Sequence, residues 1–118
     1  MPQPQLATNV RKVSDDACVL DIEGEMTAFA EKVLTDAYNL ATDDGARVII
    51  LNFENLQYMN SSGIGLLVTL LVRINRAKQR LLTYGLSDHY KHIFELTRLN
   101  DAIGIFDTED QALNAAHA

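Results

Sequence analysis

The sequence predicts an α/β domain: a mixed, largely parallel sheet of about four to five strands with helices packed on it. Three observations predict it. The run Val48, Ile49, Ile50 and Leu51 lacks the alternation of a half-exposed strand, so it suits a central strand buried on both faces. After a second strand, strand and helix patterns alternate along the chain, the mark of a layered domain whose crossovers are right-handed. The length, 118 residues, holds one core and leaves no room for a second. Residues 1–118 are therefore expected to form one domain, with the polar residues 1–9, which include Pro2 and Pro4, flexible.

The elements follow in order. Residues 10–13 form a short first strand, and Asp15 and Asp16 a turn. In residues 17–22, Cys18, Leu20 and Ile22 alternate against Val19 and Asp21, and Gly24 breaks this second strand. Thr27 is the expected N-cap of a helix to about residue 42. Phe29, Val33, Leu34, Ala37, Tyr38 and Ala41 fall on its one apolar face, while Glu31, Lys32, Asp36 and Asn39 point away. Asp43, Asp44 and Gly45 form a turn, residues 47–53 the central strand, and residues 55–58 a loop. Asn60, Ser61, Ser62 and Gly63 open a second helix that runs to about Lys78. Residues 81–84 form a strand closed by Gly85. Ser87 or Asp88 caps a helix to about Arg98, with Tyr90, Ile93, Phe94 and Leu96 or Thr97 inward. Residues 103–106 are the last strand, and Thr108 with Gln111 forms the capping box of a final helix anchored by Leu113.

Composition narrows the function. With 10 Lys and Arg against 16 Asp and Glu, the net charge is −6. That sign disfavours nucleic acid and anionic membrane as partners. The single cysteine, Cys18, cannot form an internal disulfide or a cysteine metal cage; it reads as a small buried hydrophobe in a reducing compartment. The N-terminus lacks the basic start and apolar stretch of a secretory signal. The longest apolar stretch, residues 64–72, is interrupted by Gly65 and Thr69 and is too short to span a bilayer. A soluble, cytoplasmic protein is expected.

The most informative segment is Asn60-Ser61-Ser62-Gly63-Ile64-Gly65. Two hydroxyl residues stand where a helix offers unpaired N–H groups and partial positive charge, so an anion there is favoured. The glycines allow close backbone approach. Asn, Ser and Ser are also the standard N-cap set, and a cap alone accounts for them. Projected at about 100° per residue, the apolar positions Ile64, Leu66, Leu67, Val68, Leu70, Leu71, Val72 and Ile74 cover an arc of about 240°. Packing on a sheet needs less. Either a neighbouring helix covers the surplus, or an edge of it, Leu66 with Leu70, stays exposed beside Ser61 and meets a partner.

The run from Leu51-Asn52-Phe53 through Met59-Asn60-Ser61-Ser62-Gly63-Ile64-Gly65 resembles the signature of STAS domains, the family of bacterial anti-sigma factor antagonists, in which a strand and short loop lead to D-S-S-G-L/I-G at a helix start. The resemblance extends through the Gly24-Glu25-Met26 turn, the strand at residues 81–85, the helix around residues 93–99 and the closing segment 105–113. It implies a STAS-like fold and a switch without enzymatic activity or cofactor. In that family the antagonist binds an anti-sigma factor that is also a serine kinase and so frees a sigma factor. Phosphorylation of the first serine abolishes binding, and a cognate phosphatase resets it. The resemblance therefore assigns phosphorylation to Ser61 and a switch loop to Asn60, Ser62 and Gly63; Leu66 and Leu70 at the helix edge, with Met59, are the partner-binding candidates. It implies a monomer or weak homodimer. A phosphate would add about −1.5 to −2 charges to an apolar or acidic contact surface and disrupt it. Asn60 stands where the family carries Asp. The alternative is a STAS scaffold or ligand-binding module that is not phosphorylated. As a bare domain, the chain is expected not to be one of the transporter-attached forms.

Other chemistry has less support. His89 and His92 share a helix face, but a metal needs at least three ligands and Asp88 is the nearest oxygen; surface histidines are the expectation, and His117 lies in the tail. Ser61 is not in G-x-S-x-G, no Gly-Lys-Ser/Thr follows it, and no G-x-G-x-x-G is present. Arg73, Arg76, Lys78 and Arg80 form a basic cluster, expected as the solvated end of the second helix or as a contact for an acidic partner.

Overall fold

The computed structural model of the chain describes residues 6–117. Strand β1, Leu6–Lys12, pairs antiparallel with β2, Ala17–Met26. Strands β3 (Val48–Met59), β4 (Arg80–Tyr84) and β5 (Gly104–Phe106) then follow parallel, in the order β1-β2-β3-β4-β5. Each crossover steps to the next strand in the same direction. Crossovers of one hand must therefore stack their helices on one face. That face carries α1 (Glu31–Asp43), α2 (Ser61–Arg76) and α3 (Asp88–Leu96), whose Leu34, Tyr38, Leu67, Ile74 and Phe94 share a core with Leu20, Ile49 and Leu51. The other face is covered by α4, Glu109–Ala116, over Val19, Ile50 and Tyr84. The mixed, largely parallel sheet with packed helices is thus as the sequence predicts. Among the described residues, no helix is long and apolar enough to cross a membrane.

Several expected boundaries move. The first strand is longer than residues 10–13, so Leu6–Asn9 is ordered in the sheet; the rest of the segment expected to be flexible lies outside the described residues. Gly24 does not end β2. At φ 103° it sits inside the strand, where the pairing with β3 shifts register on both sides of it. A glycine tolerates that bulged backbone where another residue would be strained. Residues 55–58 are strand rather than loop, because residues 23–26 pair with residues 55–59 in a ribbon that runs past the end of β4. Thr27 does cap, but it caps a 3-10 turn over Ala28–Ala30, its hydroxyl accepting from the Phe29 N–H, and α1 begins only at Glu31. Phe29 is consequently off the buried stripe and 86% exposed.

Helix α2 stops at Arg76, two residues early, where Lys78 turns left-handed at φ 59°. Ser87 is the cap of α3, and the helix ends at Leu96, before Arg98 at φ 63°. Leu96 and Thr97 are both exposed; Leu99, in the following turn, supplies the inward contact. The last strand begins at Gly104 rather than at residue 103. In α4 the Thr108 hydroxyl accepts from the Gln111 N–H, and the Gln111 side chain accepts from the Asp107 N–H, one residue before the usual box partner. Ala112 and Ala116, not Leu113, are the buried anchors, so the helix sits close to the sheet.

Candidate functional site

The loop between β3 and α2 is built on three fixed points. Asn60 is extended at φ −101° and ψ −174°, and its Oδ1 accepts from the Gly63 N–H at 3.0 Å. This is an N-cap bond that satisfies one of the helix's orphan donors. The Asn60 N–H donates to the Met26 carbonyl oxygen at 3.3 Å, tying the loop to the end of β2. The Met59 N–H donates to the Tyr90 hydroxyl at 2.9 Å, tying it to α3. Gly63 is buried against Met26, and a Cβ there would collide with the Met26 carbonyl oxygen. Close approach explains this glycine. Gly65 is different: a Cβ there would meet open space.

Between these anchors Ser61 and Ser62 are exposed at the start of a helix whose first turn carries no acidic residue. Their hydroxyls stand at the positive end of the helix dipole, open to a modifying enzyme and to an anion. On a helical projection Ser61, Gly65, Val68 and Val72 fall within an arc of about 60°. Gly63, Leu67, Leu70 and Ile74 form the buried stripe, on the other side. Val68 and Val72 are 43% and 44% exposed. Tyr58, 49% exposed, is the penultimate residue of β3, just before the loop.

The structure gathers Asn60, Ser61, Ser62 and Gly63 at one helix start, as the sequence predicts. It corrects the expected apolar edge. Leu70 is 4% exposed and Leu66 is half-buried; both line a cleft between α1 and α2 with Leu34 and Arg73. Met59 is also buried, as the last residue of β3 paired with Met26. The exposed apolar residues on the outer face are instead Val68 and Val72. The two readings of the wide apolar arc are both partly right: α1 covers the Leu66 side, and the opposite edge remains bare.

Two of the four residues of the basic cluster are engaged. Arg73 donates to Asn39 Oδ1 at 3.0 Å with its guanidinium 4.9 Å from the Tyr38 ring centroid, and Arg80 donates to the Ala115 carbonyl oxygen at 3.1 Å. His89 and His92 are exposed on α3, with the His89 ring edge-on to Tyr90 at 4.9 Å. Among the described residues, no group of three or more His, Cys, Asp or Glu is placed to hold a metal ion. Cys18 is buried, and that burial pushes its thiol up.

A polar cluster that sequence reasoning missed lies at the end of the sheet under α4. Arg11 Nε and Nη2 donate to the two oxygens of Asp21 at 2.7 and 2.9 Å, and Nη2 also reaches Glu109 Oε1 at 2.7 Å. The Tyr84 hydroxyl donates to Glu109 Oε1 at 2.6 Å, and Asn52 Nδ2 donates to Asp21 Oδ1 at 2.8 Å. The Arg11 hydrogen bonds hold Asp21 and Glu109 below the usual carboxylate range. Burial, with Glu109 beside it, pushes the Tyr84 phenol up. Every charge has its partner, so the cluster fastens β1, β2, β3, β4 and α4 together. Its one signal in the sequence is that Asp21 and Asn52 break the apolar runs of β2 and β3; Tyr84 closes β4, and only strand register brings the three side by side.

Comparison with known proteins gives a consistent answer. The STAS domain family matches residues 9–112. The anti-sigma-B factor antagonist of Staphylococcus aureus is 33% identical over 84 residues, which are 71% of this chain and 78% of that protein. An anti-sigma factor antagonist from Mycobacterium paratuberculosis superposes with a TM-score of 0.82 at 18% identity, covering 100% of both chains. The anti-sigma factor antagonist SpoIIAA in its unphosphorylated form superposes with a TM-score of 0.75 at 23% identity, over 95% of this chain and 99% of that one. The structure of SpoIIAA, described as a Bacillus cell fate determinant, in the phosphorylated form gives 0.71 at 24%, over 92% and 98%. The structural likenesses carry the fold, and the match over residues 9–112 with the Staphylococcus relative carries the family: the chain belongs to the STAS domain family.

Proposed function

We propose that this chain is an anti-sigma factor antagonist that works by partner switching. It binds an anti-sigma factor that is also an ATP-dependent serine kinase, and so releases a sigma factor. Transfer of the γ-phosphoryl group to the Ser61 hydroxyl ends that binding, and a cognate phosphatase restores it. The protein acts in the cytoplasm, where ATP is available to the kinase, and it performs no catalysis itself. The observation that carries this reading is the placement of Ser61. It is exposed at the capped, acid-free start of α2, in line with the bare residues Val68 and Val72.

The physics of the switch follows from that placement. A phosphate on Ser61 is tolerated by the folded chain because helix N–H groups face it. A partner seated on the apolar ridge would have to desolvate it, which is costly. The names of the Staphylococcus relative and of SpoIIAA, with SpoIIAA's existence in a phosphorylated form, support the same reading.

Asn60 favours a second reading, a STAS module that binds its partner without being phosphorylated. An amide keeps the bond to the Gly63 N–H and supplies no carboxylate to a kinase site. Intact-mass spectrometry separates the two. After incubation with ATP and the anti-sigma kinase of the same organism, one added phosphate is expected on the wild type and none on Ser61→Ala. A complex that forms with no mass gain would replace the first reading by the second.

A further inference from the structure

The Ser61 loop is held from the side of α3 as well as from β2, and the α3 contact is a single hydroxyl. Pairing between β3 and β4 ends at Asn52 and Tyr84. Beyond that point β3 continues to Met59 with β2 on one side and, among the described residues, no strand on the other. Successive N–H groups of a strand point to opposite sides. The Asn60 N–H is directed to β2, at the Met26 carbonyl oxygen, so the Met59 N–H is directed away from β2. Tyr90 fills the place of the missing strand: its hydroxyl accepts this buried N–H at 2.9 Å.

We infer that Tyr90 is a positioning residue for the switch loop. Its hydroxyl sets where β3 ends, and thereby where the Asn60 cap and Ser61 stand. Tyr90 itself is 9% exposed and belongs to the first turn of α3, whose cap Ser87 receives the Tyr90 N–H. It has no bond to Ser61 in the structure; its influence runs through Met59 and then through the Asn60 bond to the Gly63 N–H. A buried N–H that loses its acceptor must find water or another partner, and the loop that follows is the next chain segment, so its position is the first to change. The inference rests on the phosphoswitch reading for its consequence, the readiness of Ser61 for phosphoryl transfer, but not for the geometry.

The test compares Tyr90→Phe with Tyr38→Phe in the full chain. Tyr38 is also a buried tyrosine with one hydroxyl bond, to Gln79 Oε1 at 2.7 Å, just past the C-terminal end of α2. Amide hydrogen exchange by NMR is read first, without any partner. In Tyr90→Phe the Met59 amide should exchange at least about tenfold faster, with shifted Asn60, Ser61 and Gly63 signals. Tyr38→Phe should leave these four residues as in the wild type. With the kinase, Tyr90→Phe should lower kcat for Ser61 phosphorylation by several-fold at unchanged KM, and Tyr38→Phe should change neither. Unaltered exchange at Met59 in Tyr90→Phe, or equal changes in both variants, would overturn the inference. If the wild-type chain takes no phosphate, the phosphoswitch reading fails, while the exchange comparison still decides the role of Tyr90.

Discussion

Asn60 and Gly63 hold the first turn of α2 by different means, and substitutions tell them apart. Asn60 contributes a cap bond, so Asn60→Ala should cost about 1 kcal/mol in urea unfolding, while Asn60→Asp, an equally good cap, should change stability little. Gly63 contributes only the absence of a side chain beside Met26. Gly63→Ala must move one backbone against another and should lose several times more, on the order of 3 kcal/mol, within the range of overpacked sites. Gly65 has room for a Cβ on an exposed helix face, so Gly65→Ala should raise stability by about 0.5–1 kcal/mol. If that variant is stabilised and yet binds its partner less well, Gly65 is there to keep the ridge flat. A destabilised Gly65→Ala would contradict this account of the helix. The cap was legible in the Asn-Ser-Ser-Gly run because capping is local. The distinction between the two glycines was not, because Met26 approaches Gly63 from another element.

At the scale of elements, α4 is fastened to the sheet by the Arg11 cluster, and that fastening depends on pH. Asp21 and Glu109 have carboxyl groups lowered in the folded state. Groups of that kind contribute stability that is fully present above their unfolded range, about pH 4–4.5. The contribution is lost as pH falls through their lowered folded values. Glu109→Gln should therefore lose more stability relative to wild type at pH 7 than at pH 3. The loss at pH 7 should be about 1 kcal/mol, because roughly a third of each of the Arg11 and Glu109 side chains is open to water that screens the pair. Thermal unfolding of both proteins across this range checks it; parallel curves would mean that the cluster adds nothing. The type of each strand and α-helix was legible from periodicity, an unbroken apolar run or a cap, while the 3-10 turns at Ala28–Ala30 and Leu99–Asp101 were not. Boundaries failed where long-range pairing prevailed over local signals: Gly24 inside β2 and residues 55–58 in β3 form one ribbon that neither segment reveals alone.

For the whole molecule, the layer arrangement decides which surface remains. Three helices share one face of the sheet, and α1 covers the Leu66 edge of α2. The sequence showed an apolar arc too wide for one sheet, but it did not show which side a neighbour takes. That is why Leu70 was expected outside, and it is Val68 and Val72 that are bare. Replacing Val68 and Val72 together by Ser should change stability by less than about 1 kcal/mol, since both are already half in water, and should weaken partner binding at least about tenfold. Unchanged binding would remove the ridge from the account.

The central claim, that charge placed on Ser61 turns binding off, is tested most directly by titrating the anti-sigma partner calorimetrically with the chain before and after enzymatic phosphorylation. The account predicts tight binding by the unmodified chain. Phosphorylation should weaken it by at least roughly a hundredfold, a change of about 2.7 kcal/mol. Equal affinity of the two forms, with the phosphate verified on Ser61, would contradict it.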